Sequence, residues 1–191
     1  MGGHEDWHIT ENGLAQPTDL ELVRKARRGD MAAFHGLVSR HGLYLYRLAV
    51  RLLGNACDAE DAVQEALSGA HRGLGSFGER SSVRTWLTRI LVRQAARALQ
   101  RRTRRAVVPL QDAQAAAMTE AASEQSDVRM DVQAAIERLG GDHRTVIVLR
   151  EMEGLSYEEI SQVLEIPPGT VESRLFRARR QLQDLLKEYL Q

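Results

Sequence analysis

The sequence has few of the features that mark secreted, membrane-spanning or β-rich proteins. Its single cysteine, Cys57, rules out an intramolecular disulfide and therefore a disulfide-stabilised secreted domain. The N-terminal MGGHEDWHITENG carries acidic residues and has no apolar core, and no apolar run approaches the length of a membrane span. Sustained apolar–polar alternation is absent, and only TVIVL at 145–149 has a strand-like composition. We therefore expect an all-α, cytoplasmic protein with no direct membrane insertion.

Net charge is also absent, but the charges are unevenly distributed. The 26 basic and 26 acidic residues cancel over the whole chain. Residues 72–105, however, contain 10 basic residues and 1 acidic residue. A local positive field of this kind attracts polyanions even when the whole-chain charge is zero. We expect any nucleic-acid binding to be confined to part of the chain.

The pattern of apolar residues divides the chain into two helical domains. Helical periodicity and a Thr18–Glu21 capping box predict an N-terminal tail over 1–18 and a first domain over 19–105. Residues 106–127 are rich in Ala, Gln, Glu and Ser, which is typical of a flexible linker. Such a linker reaches at most roughly 75 Å, so the two domains could lie far apart on one ligand. The second domain is predicted over 128–191.

The stretch GLSYEEISQVLEIPPGTVESRLFRARRQL predicts a helix-turn-helix near the C-terminus. Ser156 and Glu159 form a capping box for a first helix, and the prolines at 167 and 168 end it and favour a new helix at Pro168 or Gly169. The second helix has one apolar side and one side rich in arginine, as a helix that enters the major groove requires. The alternative is a surface helix of an ordinary bundle with solvated arginines.

The stretch DAEDAVQEA predicts a helix with one acidic face. Asp58 is a candidate N-cap, and Asp61, Gln64 and Glu65 share the face opposite the apolar residues. This face suits a protein contact, although a solvated surface with acids near a helix N-terminus would show the same pattern.

The basic segment predicts a site for single-stranded nucleic acid. Arg89, Arg93 and Arg97 repeat at a spacing of four and form one stripe, and Phe77 and Trp86 lie beside it. Aromatic rings and arginines together bind an unpaired strand, because stacking and phosphate attraction do not need a duplex. Trp86 could equally be part of the hydrophobic core.

No motif predicts catalysis, a cofactor or a metal. GLGSFG at 73–78 spells G-x-G-x-x-G, but a predicted helix precedes it, whereas dinucleotide binding needs a preceding strand. His4 and His8 have metal-compatible spacing but lie in a polar terminal stretch, so we do not expect a metal there.

The acidic helix, the basic segment and the helix-turn-helix together closely resemble the bacterial extracytoplasmic-function sigma factors, the small two-domain members of the sigma-70 family. The resemblance covers roughly residues 20–186 and includes two separate motif blocks in the right order. It implies a first domain that binds core RNA polymerase and melts the promoter minus-10 element, and a second that reads the minus-35 element. It also implies restraint by an anti-sigma factor, in this family often anchored in the membrane.

The resemblance implies roles for residues matched by position. The acidic face would bind the largest polymerase subunit through Asp58, Asp61, Gln64 and Glu65. The melted minus-10 strand would lie against Phe77, Trp86, Arg89 and Arg93, with Arg97 extending the stripe. The minus-35 duplex would face Pro167, Thr170, Ser173, Arg174, Phe176 and Arg177.

The chain departs from the family pattern at several positions. Arg93 stands where the family often has Asn, Glu165 at the usual turn glycine and Glu172 at a usual Lys or Arg, and Gly140-Gly141 replaces a usual Pro. Two other functions are compatible with parts of the sequence. A sigma-like decoy would bind an anti-sigma factor without needing the arginine stripe or the base-reading face, and a stand-alone helix-turn-helix regulator would not need the first domain.

Overall fold

The computed structural model describes residues 16–106 and 132–187, except for the side chains of 104–106, and this part of the chain is helical with no strand. The all-α prediction is confirmed. Residues 1–15 of the predicted tail, with His4 and His8, and 107–127 of the predicted linker lie outside the described residues.

Helices α1 to α4 form what we call the first module. They are α1 (Asp19–Arg27), α2 (Met31–Leu53), α3 (Ala56–Gly73) and α4 (Val83–Ala106), with a 3₁₀ turn at Leu74–Ser76. The long helix α2 contacts each of the other three. Its apolar positions Leu45, Leu48 and Leu52 are almost wholly buried, as their helical spacing predicts.

Local capping residues decide where these helices begin and end. Thr18 and Glu21 form both bonds of the predicted capping box before α1. Gly54 ends α2 with a φ of 77°, in the left-handed region that glycine adopts without steric cost. The prediction of Asp58 as the N-cap of α3 is wrong. Asn55 caps this helix, because its amide oxygen accepts from the Asp58 N–H at 2.7 Å and its amide nitrogen donates to the Asp58 carboxylate.

Over 132–187 the second module has four helices, beginning with α5 at 132–138. Helix α6 (Gly141–Ile147) continues into a π-helical segment (Val148–Met152), and α7 (Tyr157–Leu164) and α8 (Pro168–Lys187) follow. The strand-like TVIVL therefore lies in helix, where its apolar side chains Val146, Ile147, Val148 and Leu149 are buried. Tertiary burial outweighs the β-propensity of these residues.

Helices α7 and α8 form the predicted helix-turn-helix. The Ser156–Glu159 capping box precedes α7 and α8 begins at Pro168, both as predicted. The apolar side of α8 is wholly buried at Val171, Leu175 and Ala178. This packing leaves the arginine-rich side of α8 facing outward.

The two modules pack against each other. Their buried apolar side chains form one continuous cluster, and α4 contacts α7. Arg144 of α6 donates to the carbonyl oxygen of Leu52 at 3.0 Å, and burial lowers the pKa of this guanidinium. Glu153, with 5% of its side chain exposed, lies between Arg51 and Arg84 of the first module. We call this packing the closed arrangement.

Candidate nucleic-acid interface

A groove of about 520 Å³ lies between α4 and the loop that precedes it. Four of the five residues predicted for a single strand line it: Phe77, Trp86, Arg89 and Arg93. Arg97 does not line this groove, although it is exposed further along α4. The structure therefore gathers most of the predicted residues around one concave surface with basic walls.

The two aromatic residues of this groove belong largely to the core. Phe77 is 4% exposed and Trp86 is 8% exposed, and their ring centroids lie 5.0 Å apart at an interplanar angle of 39°. Tilted packing of two aromatic rings at this distance is favourable and stabilises the core. It favours the core alternative for Trp86, and in the closed arrangement neither ring presents a free face for stacking. Their contact with a base stays a prediction.

Two of the three arginines that line the groove contact one carboxylate of the second module. Arg89 Nη1 lies 3.5 Å from Glu165 Oε1, and Arg93 Nη2 bonds to Glu165 Oε2. Glu165 is the C-cap of α7, so the helix-turn-helix turn lies next to these two lining arginines. The periodicity of the sequence could not predict this contact, because it joins residues of two separate modules.

The outward side of α8 borders a second groove, of about 870 Å³. Ser173, Phe176 and Arg177 line it, and the Phe176 side chain is 68% exposed, unusually open for a large apolar residue. Glu172 lines the same groove. Pro167 is exposed and Thr170 half-buried at the start of α8, outside the groove. The helix can therefore present polar, aromatic and basic groups together to a duplex.

Some arginines of α8 are held by carboxylates within the second module. Arg174 Nη2 lies 2.8 Å from Asp142 Oδ2, and Arg179 Nη2 lies 2.7 Å from Glu151 Oε1. The hydrogen bonds that Arg179 donates to the Glu151 carboxylate raise the pKa of the Arg179 guanidinium. Arg177 lines the groove directly. Ion pairs thus orient Arg174 and Arg179, and Arg179 still lines the groove together with Arg177.

The acidic face of α3 lines a third concave surface, which differs from the two basic grooves in carrying acidic side chains. Asp61, Gln64 and Glu65 are exposed and Asp58 is half-buried, and all four line a concavity of about 410 Å³. Arg101 and Arg102 of α4 form its other wall. Sequence reasoning missed these arginines here, because helical spacing alone does not show which neighbouring helix a side chain faces.

Metal and membrane sites are not among these surfaces. Residues 16–106 and 132–187 contain no group of three or more His, Cys, Asp or Glu side chains that could hold a metal ion. Over the same ranges, no helix has the length and apolar character to cross a membrane.

Comparisons with known proteins agree with this architecture. Residues 37–105 match the family described as Sigma-70 region 2, and 129–182 match Sigma-70, region 4. The chain is 39% identical to the RNA polymerase sigma-H factor of Pseudomonas aeruginosa, over 92% of this chain and 99% of that protein. It is 38% identical to the ECF RNA polymerase sigma-E factor of Escherichia coli, over 88% and 94%.

A solved structure has the same fold. It is the sigma factor RpoE in complex with the anti-sigma factor NepR from Bartonella quintana, with a TM-score of 0.62 and 30% identity over 81% of this chain and 96% of that one. Both predicted DNA-binding segments lie within the matched family regions. The chain therefore belongs to the sigma-70 family, among its extracytoplasmic-function RNA polymerase sigma factors.

Proposed function

We propose that this chain is an alternative sigma factor whose first module binds core RNA polymerase and the minus-10 element and whose second module binds the minus-35 element. One observation carries the proposal. A single chain combines an exposed acidic face on α3, a basic groove beside α4 and an outward basic side on α8. A promoter-specificity subunit needs one protein contact and two DNA contacts, and these three surfaces supply them. The chain itself has no enzymatic activity and acts in the cytoplasm.

The division of roles follows from charge and exposure. Core polymerase would contact Asp58, Asp61, Gln64 and Glu65. The minus-10 strand would contact the groove of Phe77, Trp86, Arg89 and Arg93, with Arg97 at its edge. The minus-35 duplex would contact Pro167, Thr170, Ser173, Arg174, Phe176 and Arg177. Basic side chains bind phosphates and fix the register, while polar groups on α8 read base edges.

We further propose that an anti-sigma factor restrains the chain. The Bartonella quintana sigma factor, to which this chain is similar over most of its length, was solved with the anti-sigma factor NepR. Purification of the chain from its native cells under non-inducing conditions should recover a stoichiometric protein partner. Recovery of the chain alone would count decisively against this restraint.

Run-off transcription with purified core polymerase tests the main proposal. A sigma factor should direct transcripts from defined start sites, and omission of the chain should abolish them. A decoy would bind an anti-sigma factor but give no transcript with core polymerase. A stand-alone regulator would bind a duplex without binding core polymerase, so a pull-down with core polymerase separates it from a sigma factor, and duplex binding separates it from a decoy.

A further inference from the structure

The closed arrangement places a carboxylate of the helix-turn-helix against two arginines that line the basic groove of the first module. Glu165 contacts Arg89 and Arg93, which lie on successive turns of α4. These are the arginines that the proposed function assigns to the phosphates of the minus-10 strand. A carboxylate and a phosphate both present anionic oxygens to a guanidinium, so they compete for the same donors.

The backbone at Glu165 is held in a conformation that glycine favours. Its φ of 56° and ψ of 41° are left-handed, which crowds the Cβ of any other residue. Only two non-glycine residues of the described ranges have positive φ, Glu79 and Glu165. Each carboxylate contacts two arginines: Glu79 lies near Arg24 and Arg27 as Glu165 does near Arg89 and Arg93. Charge contacts therefore accompany the unfavourable backbone in both places.

The closed arrangement leaves Arg89 incompletely satisfied. Its Nε is buried and, among the described residues, has no hydrogen-bond partner. A buried donor without an acceptor costs free energy, which a ligand with several acceptor oxygens can recover. The contact of Arg89 with Glu165 is thus one that a phosphate could replace with better hydrogen bonding.

From these contacts we infer that Glu165 is an intramolecular latch, which holds the second module over the minus-10 groove and must release before a single strand enters. The inference rests on the proposed function of the groove. Glu153 and Arg144 support the closed arrangement elsewhere, but Glu165 is the residue that pairs with the DNA-binding arginines. Strand binding and opening are then coupled, because the strand can bind Arg89 and Arg93 only in the open state.

Glu165→Gly tests the latch in the full-length chain. The substitution removes the carboxylate and relieves the left-handed backbone, so it does not endanger the fold of the second module. One dye on exposed Cys57 and one on a Gln183→Cys substitution in α8 report the distance between the modules by energy transfer. Anisotropy with a labelled, mixed-sequence single-stranded oligonucleotide reports strand affinity.

Release of the latch should change both readouts together. Glu165→Gly should lower the transfer efficiency and tighten single-strand binding by about threefold to tenfold, the range expected for losing two partly exposed ion pairs. Glu165→Asp keeps the charge and should stay nearer to the unsubstituted chain. Glu158→Gln, which removes an exposed carboxylate from the same helix, is the matched control and should change neither readout.

Other outcomes overturn the latch. Tighter strand binding with unchanged energy transfer would show that Glu165 only repels the strand from a fixed surface. No change in either readout would show that the contact does not limit access. Both measurements use the chain without polymerase, so a failure in run-off transcription would overturn the proposed function while leaving the latch to be judged separately.

Discussion

Oδ2 of Asp19, in the first turn of α1, lies 2.7 Å from Nε2 of His41 in the middle of α2. Arg40 contacts the other carboxylate oxygen, so two residues of α2 hold the start of α1. Partial burial opposes ionisation of Asp19, but the hydrogen bonds from His41 and Arg40 outweigh it and lower the pKa of this carboxyl. The ionised carboxylate therefore helps to fasten α1 to α2.

Asp19→Asn should destabilise the chain at neutral pH, by about 1 kcal/mol in the free energy of unfolding. Because the folded-state pKa of Asp19 is lowered, its contribution is present above the unfolded-state pKa and is lost as pH falls through the folded-state pKa. The difference between the two proteins should thus shrink below about pH 4. Urea unfolding at a series of pH values measures it. Glu60→Gln, at an exposed site on α3, is the control, and a difference independent of pH would contradict the ionic role.

Gly54→Ala and Gly42→Ala should have opposite effects on stability. Gly54 has a φ of 77°, and a Cβ there would lie 2.8 Å from the carboxyl carbon of Glu137, whereas Gly42, inside α2, has open space. We expect Gly54→Ala to cost about 1 kcal/mol or more and Gly42→Ala to stabilise α2 by roughly 0.5–1 kcal/mol. Thermal and urea unfolding provide the measurement.

A second substitution separates the two causes at Gly54. Removing the neighbouring carboxylate with Glu137→Ala should leave most of the cost of Gly54→Ala in place, since the cost lies in the left-handed backbone. Full recovery of stability in the double variant would instead attribute the cost of Gly54→Ala to the side-chain contact between the modules.

Replacement of Asp61 and Glu65 by arginine should reduce binding to core polymerase by about tenfold or more, because two exposed acids of one face would become bases. The residues are exposed, so the helices should persist, and like-charge repulsion from Arg101 and Arg102 across the concavity should lower the free energy of unfolding only modestly. Fluorescence titration with core polymerase measures the affinity. Glu158→Arg, at an exposed position on α7, is the control for added positive charge. Unchanged affinity of the double variant for core polymerase would show that α3 is not part of the polymerase interface.

Glu172→Lys should raise affinity for all duplexes if the side chain lies near a phosphate. Glu172 is exposed beside Ser173 and Arg177, where a carboxylate repels the DNA backbone. One new lysine contact should steepen the salt dependence of binding by about 0.9 in the log–log slope. Salt titrations on matched and single-substituted minus-35 duplexes provide the measurement, with Glu158→Lys as the control.

A different result would assign Glu172 to base recognition. If its carboxylate accepts from a cytosine amino group, the substitution should lose discrimination at one base pair, worth about 1–3 kcal/mol. No change in slope or in specificity would show that this side chain does not meet DNA.

Local signals in the sequence were sufficient to predict the helices and the surfaces that they expose. The capping boxes at Thr18 and Ser156 involve residues three apart, and the burial of Val171 and Leu175 follows from a period of 3.6 residues. Both are properties of a single helix and its nearest neighbours. The error at Asp58 was also local, since Asn55 is an equally good N-cap residue three positions earlier.

Tertiary packing decided what the exposed residues touch. The burial of Trp86 against Phe77, and the second wall that Arg102 adds to the acidic concavity, depend on which helices lie side by side. Glu165 and Arg93 are 72 positions apart and in different modules, and no periodic pattern relates them. Charge type and helical face are set by neighbouring residues in the chain, whereas the partner of each charge is set by the packing of the modules through a shared apolar cluster.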